Sequence, residues 1–198
     1  MAFATLTLLP VESAEQRAAA GTLIVEYLHW VAGIARASYG LSFDVKAMVQ
    51  SDVDDPAKFY PPTGRFYLIE SGGRYVGVGC LKRLNDDACE IQRMYIQPHL
   101  RGVGGGRLLV ERLLKDARSL GCRKVRLESL KALTAAHTLY RSVGFVEIEP
   151  YANSSMSDYQ APETLAAYRR SAVFMELDID VNPEQHTASV VQVSQDEG

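Results

Sequence analysis

A glycine-rich stretch in the middle of the chain carries the clearest chemical signal. It reads Arg101-Gly102-Val103-Gly104-Gly105-Gly106-Arg107 and directly precedes a segment with the apolar spacing of a helix. The first N–H groups of a helix have no partner within it, and the helix dipole adds partial positive charge there, so such a loop can bind phosphate. A glycine cluster alone suits a plain flexible loop equally well.

Two common phosphate motifs are absent from this loop. A dinucleotide fingerprint needs a third glycine three residues after the second, where this sequence has Arg107 or Leu109. A P-loop ends in Gly-Lys-Ser/Thr, and the loop has no such ending. The pattern that does fit is Arg/Gln-x-x-Gly-x-Gly/Ala, through Arg101, Gly104 and Gly106.

Positive charge is concentrated around the same loop. The chain has a formal net charge of −3, yet residues 93–126 contain nine Lys or Arg against two acidic residues. A solvated helix face explains most runs of this kind, and the alternative is a site for a small ligand with several negative charges. The overall acidity argues against a general nucleic-acid binder.

Residue spacing predicts helices and strands that alternate around the loop. Ser13 and Gln16 form a capping-box pattern before a long helix that ends at Gly40, and Gly72-Gly73 predicts a hairpin turn. The predicted strands are 3–11, 66–71, 75–84, 89–97, 124–130, 145–148 and 172–179, and shorter helices are predicted at 45–50, after the glycine loop and at 133–143. This order predicts a mixed α/β architecture rather than a bundle or a sandwich.

The strand over 89–97 has an unusual pattern. Its alternate residues Glu90, Gln92, Met94 and Ile96 change from polar to apolar partway along. A bulge near Arg93 would produce this change.

Three segments, in order, resemble the GNAT superfamily of N-acetyltransferases. The loop 101–107 resembles its acetyl-coenzyme A loop, residues 89–98 resemble its fourth strand, and residues 136–145 resemble its A-x-x-L-Y-x-x-x-G-F segment. The close resemblance covers about residues 89–151. It implies a mixed α+β fold with a splayed, mostly antiparallel sheet of six to seven strands flanked by helices. We expect one domain over 1–179 and a mobile tail over 180–198.

The resemblance implies acetyl-coenzyme A as the donor substrate. Main-chain N–H groups of the loop would hold its pyrophosphate, and main-chain groups of the splayed strand would bond its pantetheine arm and the developing oxyanion. The implied binding residues are Met94, Tyr95, Ile96, Arg101, Gly102, Val103, Gly104, Gly105, Gly106 and Arg107. One position departs from the family, since Leu133 stands where many relatives have an asparagine that contacts the coenzyme.

Acetyl transfer to an amine requires a proton acceptor and a proton donor. An alkyl amine with a pKa of about 10.4 is mostly protonated at neutral pH. The resemblance implies that Glu90 accepts the proton and that Tyr140 protonates the departing thiolate. Glu128, on the neighbouring strand, is the substitute for Glu90, which could instead only pair with Arg93 or Lys82.

The acceptor is less well defined by the sequence. In relatives, the long loop and the segment after the sixth strand face the gap between the splayed strands. The residues expected to border the acceptor are Tyr27, Trp30, Tyr60, Arg65 and Tyr151. Arg65 could hold a carboxylate or be a strand-edge charge. A small-molecule amine and a peptide amine remain alternatives.

Several other classes of protein and site are not indicated. The cysteines Cys80, Cys89 and Cys122 fit neither a disulfide scaffold nor zinc-ligand spacing, so we expect reduced thiols in a cytoplasmic protein. The four histidines show no metal-ligand spacing, so no metal is expected. The first residues lack a signal-peptide pattern, and the sequence has no apolar run of membrane-spanning length.

These observations predict a cytoplasmic, acetyl-CoA-dependent N-acetyltransferase in which a primary amine attacks the bound thioester directly. Nucleic acid and membrane are not expected partners, and the resemblance makes a homodimer an expectation because many relatives are dimers. Two alternatives stay open at this point. One is a non-catalytic acyl-CoA sensor, and the other is a transferase that uses a longer acyl-CoA.

Overall fold

The computed structural model describes residues 5–152, 154–158 and 160–180. Within these ranges, the helices are α1 (Ala14–Tyr39), α2 (Val45–Asp54), α3 (Gly105–Ser119), α4 (Thr134–Ser142) and α5 (Pro162–Ser171). The strands are β1 (Thr7–Pro10), β2 (Arg65–Ser71), β3 (Arg74–Arg83), β4 (Ala88–Ile96), β5 (Lys124–Leu130), β6 (Val146–Ile148) and β7 (Ala172–Asp178). The start of the predicted strand 3–11 and the predicted tail beyond residue 180 lie outside the described residues.

The strands within the described ranges form one seven-stranded sheet in the order β1-β2-β3-β4-β5-β7-β6. β4 and β5 are its parallel pair, and the other neighbours are antiparallel. Successive residues of a strand point to opposite faces. Leu68 therefore packs with α1 on one face, while Tyr67 and Ile69 pack with α3 on the other. This arrangement confirms the predicted mixed, mostly antiparallel fold.

The parallel pair at the centre of the sheet separates soon after it begins. β4 pairs with β5 through Ala88–Glu90 and Lys124–Arg126. Farther along β4, Arg93 has a positive φ of 54°, and the register with β3 shifts between Val78 and Cys80. The bulge predicted near Arg93 is therefore confirmed, and β4 bends away from β5.

Helix α1 begins and ends as its sequence predicts. Ser13 Oγ accepts a hydrogen bond from Gln16 N (3.1 Å), and Gln16 Oε1 accepts one from Ser13 N (2.9 Å). Gly40 closes the helix in the left-handed conformation, with φ 66°. Its apolar stripe packs against β3 and β4, with Leu23 and Leu28 buried.

By length and composition alone, α1 could also cross a membrane. Its most apolar 18-residue window has a mean hydropathy of 1.3. A helix that packs in the core of a soluble protein meets the same criterion. Six residues of α1 are buried, among them Leu23, Ile24 and Leu28.

Helix α5 was not predicted. The sequence before the last predicted strand is polar, and residues Pro162–Ser171 within it are helical. Tyr168 is the buried residue of this helix, so its apolar periodicity is too weak to be read from sequence. Pro162 at the first turn, where its missing N–H costs nothing, is the sequence signal for its start.

The expectation of three reduced cysteines is wrong for two of them. Cys89, in β4, and Cys122, after α3, form a disulfide with their Cα atoms 6.1 Å apart. The two residues are 33 positions apart, so their spacing gave no indication of the pairing. Packing of α3 against the sheet brings them together, at a distance that a disulfide can span. Cys80 is a free, buried thiol.

Candidate active site

A cavity of about 640 Å³ occupies the space where β4 and β5 separate. Side chains from α1 close one side, and the glycine loop, the start of α3 and α4 close the other. The predicted cofactor-binding residues that line it are Met94, Tyr95, Ile96, Arg101, Gly102, Gly104, Gly105, Gly106 and Arg107. Val103 does not line it and is exposed on the outside of the loop. Nine of the ten residues predicted to bind the cofactor therefore line one cavity.

The glycine loop has the backbone conformation that phosphate binding needs. Gly102 and Gly104 have φ of 82° and 98°, values that residues with a side chain rarely adopt. Gly104 is the N-cap of α3, and the first intrahelical bond runs from Leu108 N to Gly104 O (3.0 Å). The N–H groups of residues 105–107 precede that bond, so they are available to an anion.

Gly106, at the start of α3, lies close to α4. A Cβ on Gly106 would lie 3.0 Å from Leu139 Cδ2 of α4. A methyl group here would therefore require the end of the Leu139 side chain to shift by a few tenths of an ångström. The cradle fits a diphosphate group, because it joins unpaired N–H donors to a surface without side chains.

Two arginines flank the cradle. Arg101 donates from Nε to Ile96 O (2.9 Å), and its guanidinium lies 4.4 Å from the centre of the Trp30 ring. Arg107 donates from Nη2 to Ser142 Oγ (2.7 Å). These contacts hold both positive charges at the end of the cavity where the helix N-terminus lies.

Two glutamates lie side by side where β4 and β5 begin to separate. Glu90 is fully buried and accepts hydrogen bonds from Tyr151 Oη (2.6 Å), from Ser155 N (3.4 Å) and from Gln92 Nε2. Burial, followed by the nearby charge of Glu128, raises the pKa of Glu90 to about 7. Glu90 does not line the cavity.

Glu128 does line the cavity. Its Oε1 accepts hydrogen bonds from Ser155 Oγ (2.6 Å) and Met156 N (2.7 Å). Its Oε2 is buried and has no hydrogen-bond partner among the described residues. Burial raises the pKa of this carboxyl above its ordinary value. Of the two glutamates, Glu128 is therefore the one that lines the cavity and has a carboxylate oxygen without a hydrogen-bond partner among the described residues.

Tyr140 lies in the cavity wall on α4. Its ring packs 5.8 Å from that of Phe145. Burial, with a smaller contribution from Tyr27, raises the pKa of Tyr140 above its ordinary value. The phenol therefore stays protonated at neutral pH and can act as a proton donor.

The predicted acceptor residues are only partly brought together. Tyr27 and Trp30 line the cavity. Tyr60, Arg65 and Tyr151 do not line the cavity. Tyr60 packs edge-on against Phe66, Arg65 donates to backbone oxygens of its own loop, and Tyr151 donates to Glu90.

Sequence reasoning missed several residues of the cavity wall. Gln92, Phe43, Ser155, Met156 and Tyr168 all line it. Gln92 could have been found, because it shares a face of β4 with Met94. The others lie in connections or in α5, where no pattern pointed inward. Among the described residues, no group of three or more His, Cys, Asp or Glu side chains could hold a metal ion.

Comparison with known proteins agrees with this architecture. The model of the "Acetyltransferase (GNAT) family" matches residues 37–145, more than half of the chain. The chain belongs to the GNAT family of acetyltransferases. The curated GNAT relatives include the uncharacterized N-acetyltransferase YjgM of Escherichia coli, 33% identical over 57% of this chain and 71% of that protein. The chain spans between 29% and 71% of the length of the curated relatives it matches.

Solved structures share the GNAT fold. An acetyltransferase from Streptococcus agalactiae has a TM-score of 0.64 at 20% identity, covering 88% of this chain and 98% of that one. The YncA protein of Salmonella typhimurium, solved with its cofactor acetyl-CoA, has a TM-score of 0.58 at 18% identity, covering 95% of this chain and 99% of its own. These likenesses show the fold.

Proposed function

We propose that this GNAT-family chain transfers the acetyl group of acetyl-CoA to a primary amine by direct attack. One observation carries the proposal. A single cavity joins the unpaired N–H groups at the start of α3 to Tyr140 and the unpartnered Glu128 Oε2. The cavity therefore has an anion-binding end and an end with a proton donor and a proton acceptor.

The donor would bind along the glycine loop and β4. The N–H groups of residues 102–107 and the charges of Arg101 and Arg107 suit a diphosphate. Beyond Glu90, the edge of β4 that faced β5 turns to the cavity, so main-chain groups of Met94–Ile96 can bond an extended arm. They can also donate to the oxyanion. YncA, which shares the fold, was solved with acetyl-CoA.

We assign the base to Glu128 rather than Glu90, because Glu128 lines the cavity and Glu90 does not. The amine nitrogen forms its bond to the thioester carbon while one N–H proton passes to Glu128 Oε2. The C–S bond breaks, and the departing sulfur takes the Tyr140 phenol proton. Proton exchange with water then restores both side chains. Glu90 lies next to this centre, where the charge of Glu128 contributes to raising the pKa of Glu90.

The test is a thiol-release assay with acetyl-CoA and a panel of amines, amino acids and peptides. Wild-type protein should release coenzyme A only when an acceptor is present. Tyr140→Phe should lower kcat by about 10²- to 10⁴-fold and leave acetyl-CoA affinity unchanged, since it removes only the proton donor. Binding of acetyl-CoA without transfer to any acceptor would contradict the proposal and favour a sensor.

A further inference from the structure

Two buried oxygen atoms in the cavity wall lack hydrogen-bond partners among the described residues. They are Gln92 Oε1 and Glu128 Oε2. Both residues line the cavity, on the two strands that separate there. A buried polar atom left without a partner destabilises the protein, so native sites rarely keep one unless a ligand or water completes it.

The orientation of each oxygen is fixed from behind. Gln92 Nε2 donates to Glu90 Oε2, so the amide oxygen of Gln92 must point the other way. Glu90 is itself held through its other oxygen by Tyr151 and by Ser155 N. Ser155 Oγ and Met156 N donate to Oε1 of Glu128, which leaves Oε2 without a partner among the described residues. The two oxygens are thus preorganised acceptors that require N–H or O–H donors.

The cavity wall away from the glycine loop is mainly apolar. It is formed by side chains of α1, of the connection to α2, of α2 itself and of α5. These side chains are Leu28, Val31, Ile34, Phe43, Met48 and Tyr168. Tyr168 and Phe43 contact each other with ring centroids 5.9 Å apart. A polar or charged acceptor body would lose its hydration here without finding partners.

Arg93, Arg101 and Arg107 give the lining as a whole a positive charge balance, but the surroundings of Glu128 disfavour a carboxylate on the acceptor. Glu128 is the only acidic residue among the described residues of the lining, and a second carboxylate beside it would be repelled. Arg93 also lines the cavity, but Asp52 already accepts from its Nε (2.9 Å) and Nη2 (3.2 Å). Arg101 and Arg107 lie at the glycine loop. A carboxylate on the acceptor that paired with Arg93 would compete with Asp52.

We propose that Gln92 Oε1 and Glu128 Oε2 together bind the nitrogen of a primary amine whose body is apolar and lacks a carboxylate. This inference rests on the proposed acetyl transfer. A neutral primary amine has two N–H groups, one for each oxygen, and its lone pair then points away from both. During attack, one N–H proton passes to Glu128, while the other N–H group still donates its hydrogen bond to Gln92 Oε1. Gln92 is thus an acceptor-binding residue.

Three matched acceptors test the substrate class. 2-Phenylethylamine is the primary amine, N-methyl-2-phenylethylamine has one N–H fewer, and phenylalanine adds a carboxylate. The primary amine should have a kcat/KM at least about tenfold above the other two. The N-methyl amine loses one hydrogen bond, and the carboxylate of phenylalanine is repelled. Equal rates for all three, a preference for phenylalanine, or no transfer to 2-phenylethylamine would overturn the inference.

The variant Gln92→Met tests the residue. It should raise the KM for 2-phenylethylamine by about tenfold or more and leave acetyl-CoA affinity unchanged. The control is Gln97→Met, because Gln97 donates to Glu26 (3.1 Å) and does not line the cavity. A Gln92→Met enzyme with the KM of the wild type would refute the role of Gln92. The comparison of the three acceptors tests the substrate class with the wild-type protein alone.

Failure of this inference differs from failure of the proposed function. If the protein acetylates amino acids or peptides while Gln92→Met behaves as wild type, the acetyltransferase proposal stands and this acceptor site is wrong. If acetyl-CoA binds but no acceptor in the broad panel is acetylated, both fail.

Discussion

Glu128→Gln is the substitution that most sharply separates the two glutamates. Glutamine keeps an oxygen for Ser155 Oγ and Met156 N, so the contacts that hold this side chain are preserved. It replaces the unpartnered Oε2 with an NH₂ group, which cannot accept a proton. General-base catalysis contributes about 10²- to 10⁴-fold, so kcat/KM should fall by that factor, or about 3–5 kcal/mol of transition-state stabilisation.

The assay is the pH dependence of acetyl transfer. In the wild type, kcat/KM should rise with pH through the raised pKa of Glu128. In Glu128→Gln this rise of kcat/KM with pH should disappear. The difference in kcat/KM between the variant and the wild type should shrink toward pH 10, where the amine itself loses its proton. The control is Glu70→Gln, since Glu70 bonds Gly73 N (2.6 Å) on the β2–β3 hairpin and does not line the cavity. A Glu128→Gln enzyme within about threefold of the wild type at neutral pH would refute the assignment of the base.

Three further predictions concern stability and donor binding. Burial raises the pKa of Glu90 from 4.5 to about 7, so the protonated carboxyl is favoured in the folded protein. The contribution of Glu90 to the free energy of unfolding is therefore complete below pH 4.5 and is lost as the pH rises through 7. The free energy of unfolding of Glu90→Gln, measured with urea, should therefore rise with pH relative to that of the wild type, by up to about 3 kcal/mol. A difference that does not depend on pH would contradict this. Ser13→Ala should lower the free energy of unfolding by about 1 kcal/mol in the same assay, because it removes the N-cap of α1, and no loss would show that the cap contributes nothing. Arg107→Ala should weaken acetyl-CoA binding and reduce its salt dependence in calorimetry, and unchanged binding at low salt would exclude Arg107 from the donor site.

The local signals in the sequence were reliable where chemistry and backbone are set by nearby residues. The capping box at Ser13, the Gly72-Gly73 turn and the glycine loop each depend on residues within a few positions. The change from polar to apolar residues along β4 correctly indicated the bulge at Arg93. These features need no knowledge of the tertiary fold.

Features that depend on distant contacts could not be predicted. The Cys89–Cys122 disulfide forms because α3 packs on the sheet. Glu128 lines the cavity, whereas Glu90 is buried and bonded by Tyr151 and Ser155, and these contacts come from a segment far along the chain from both glutamates. Such packing is set by residues far apart in sequence.

Calorimetric titration with acetyl-CoA tests the central claim, that the turn before α3 binds the diphosphate of the donor. The comparison uses Gly104→Ala and Gly40→Ala, two helix-cap glycines with positive φ (98° and 66°) and with open space around the added methyl group. Each substitution should cost about 1–2 kcal/mol of stability, but only Gly104→Ala should weaken acetyl-CoA binding. The account would be contradicted if Gly104→Ala kept its affinity for acetyl-CoA, or if the two variants lost affinity equally. It would also be contradicted if the wild-type protein gave no binding heat.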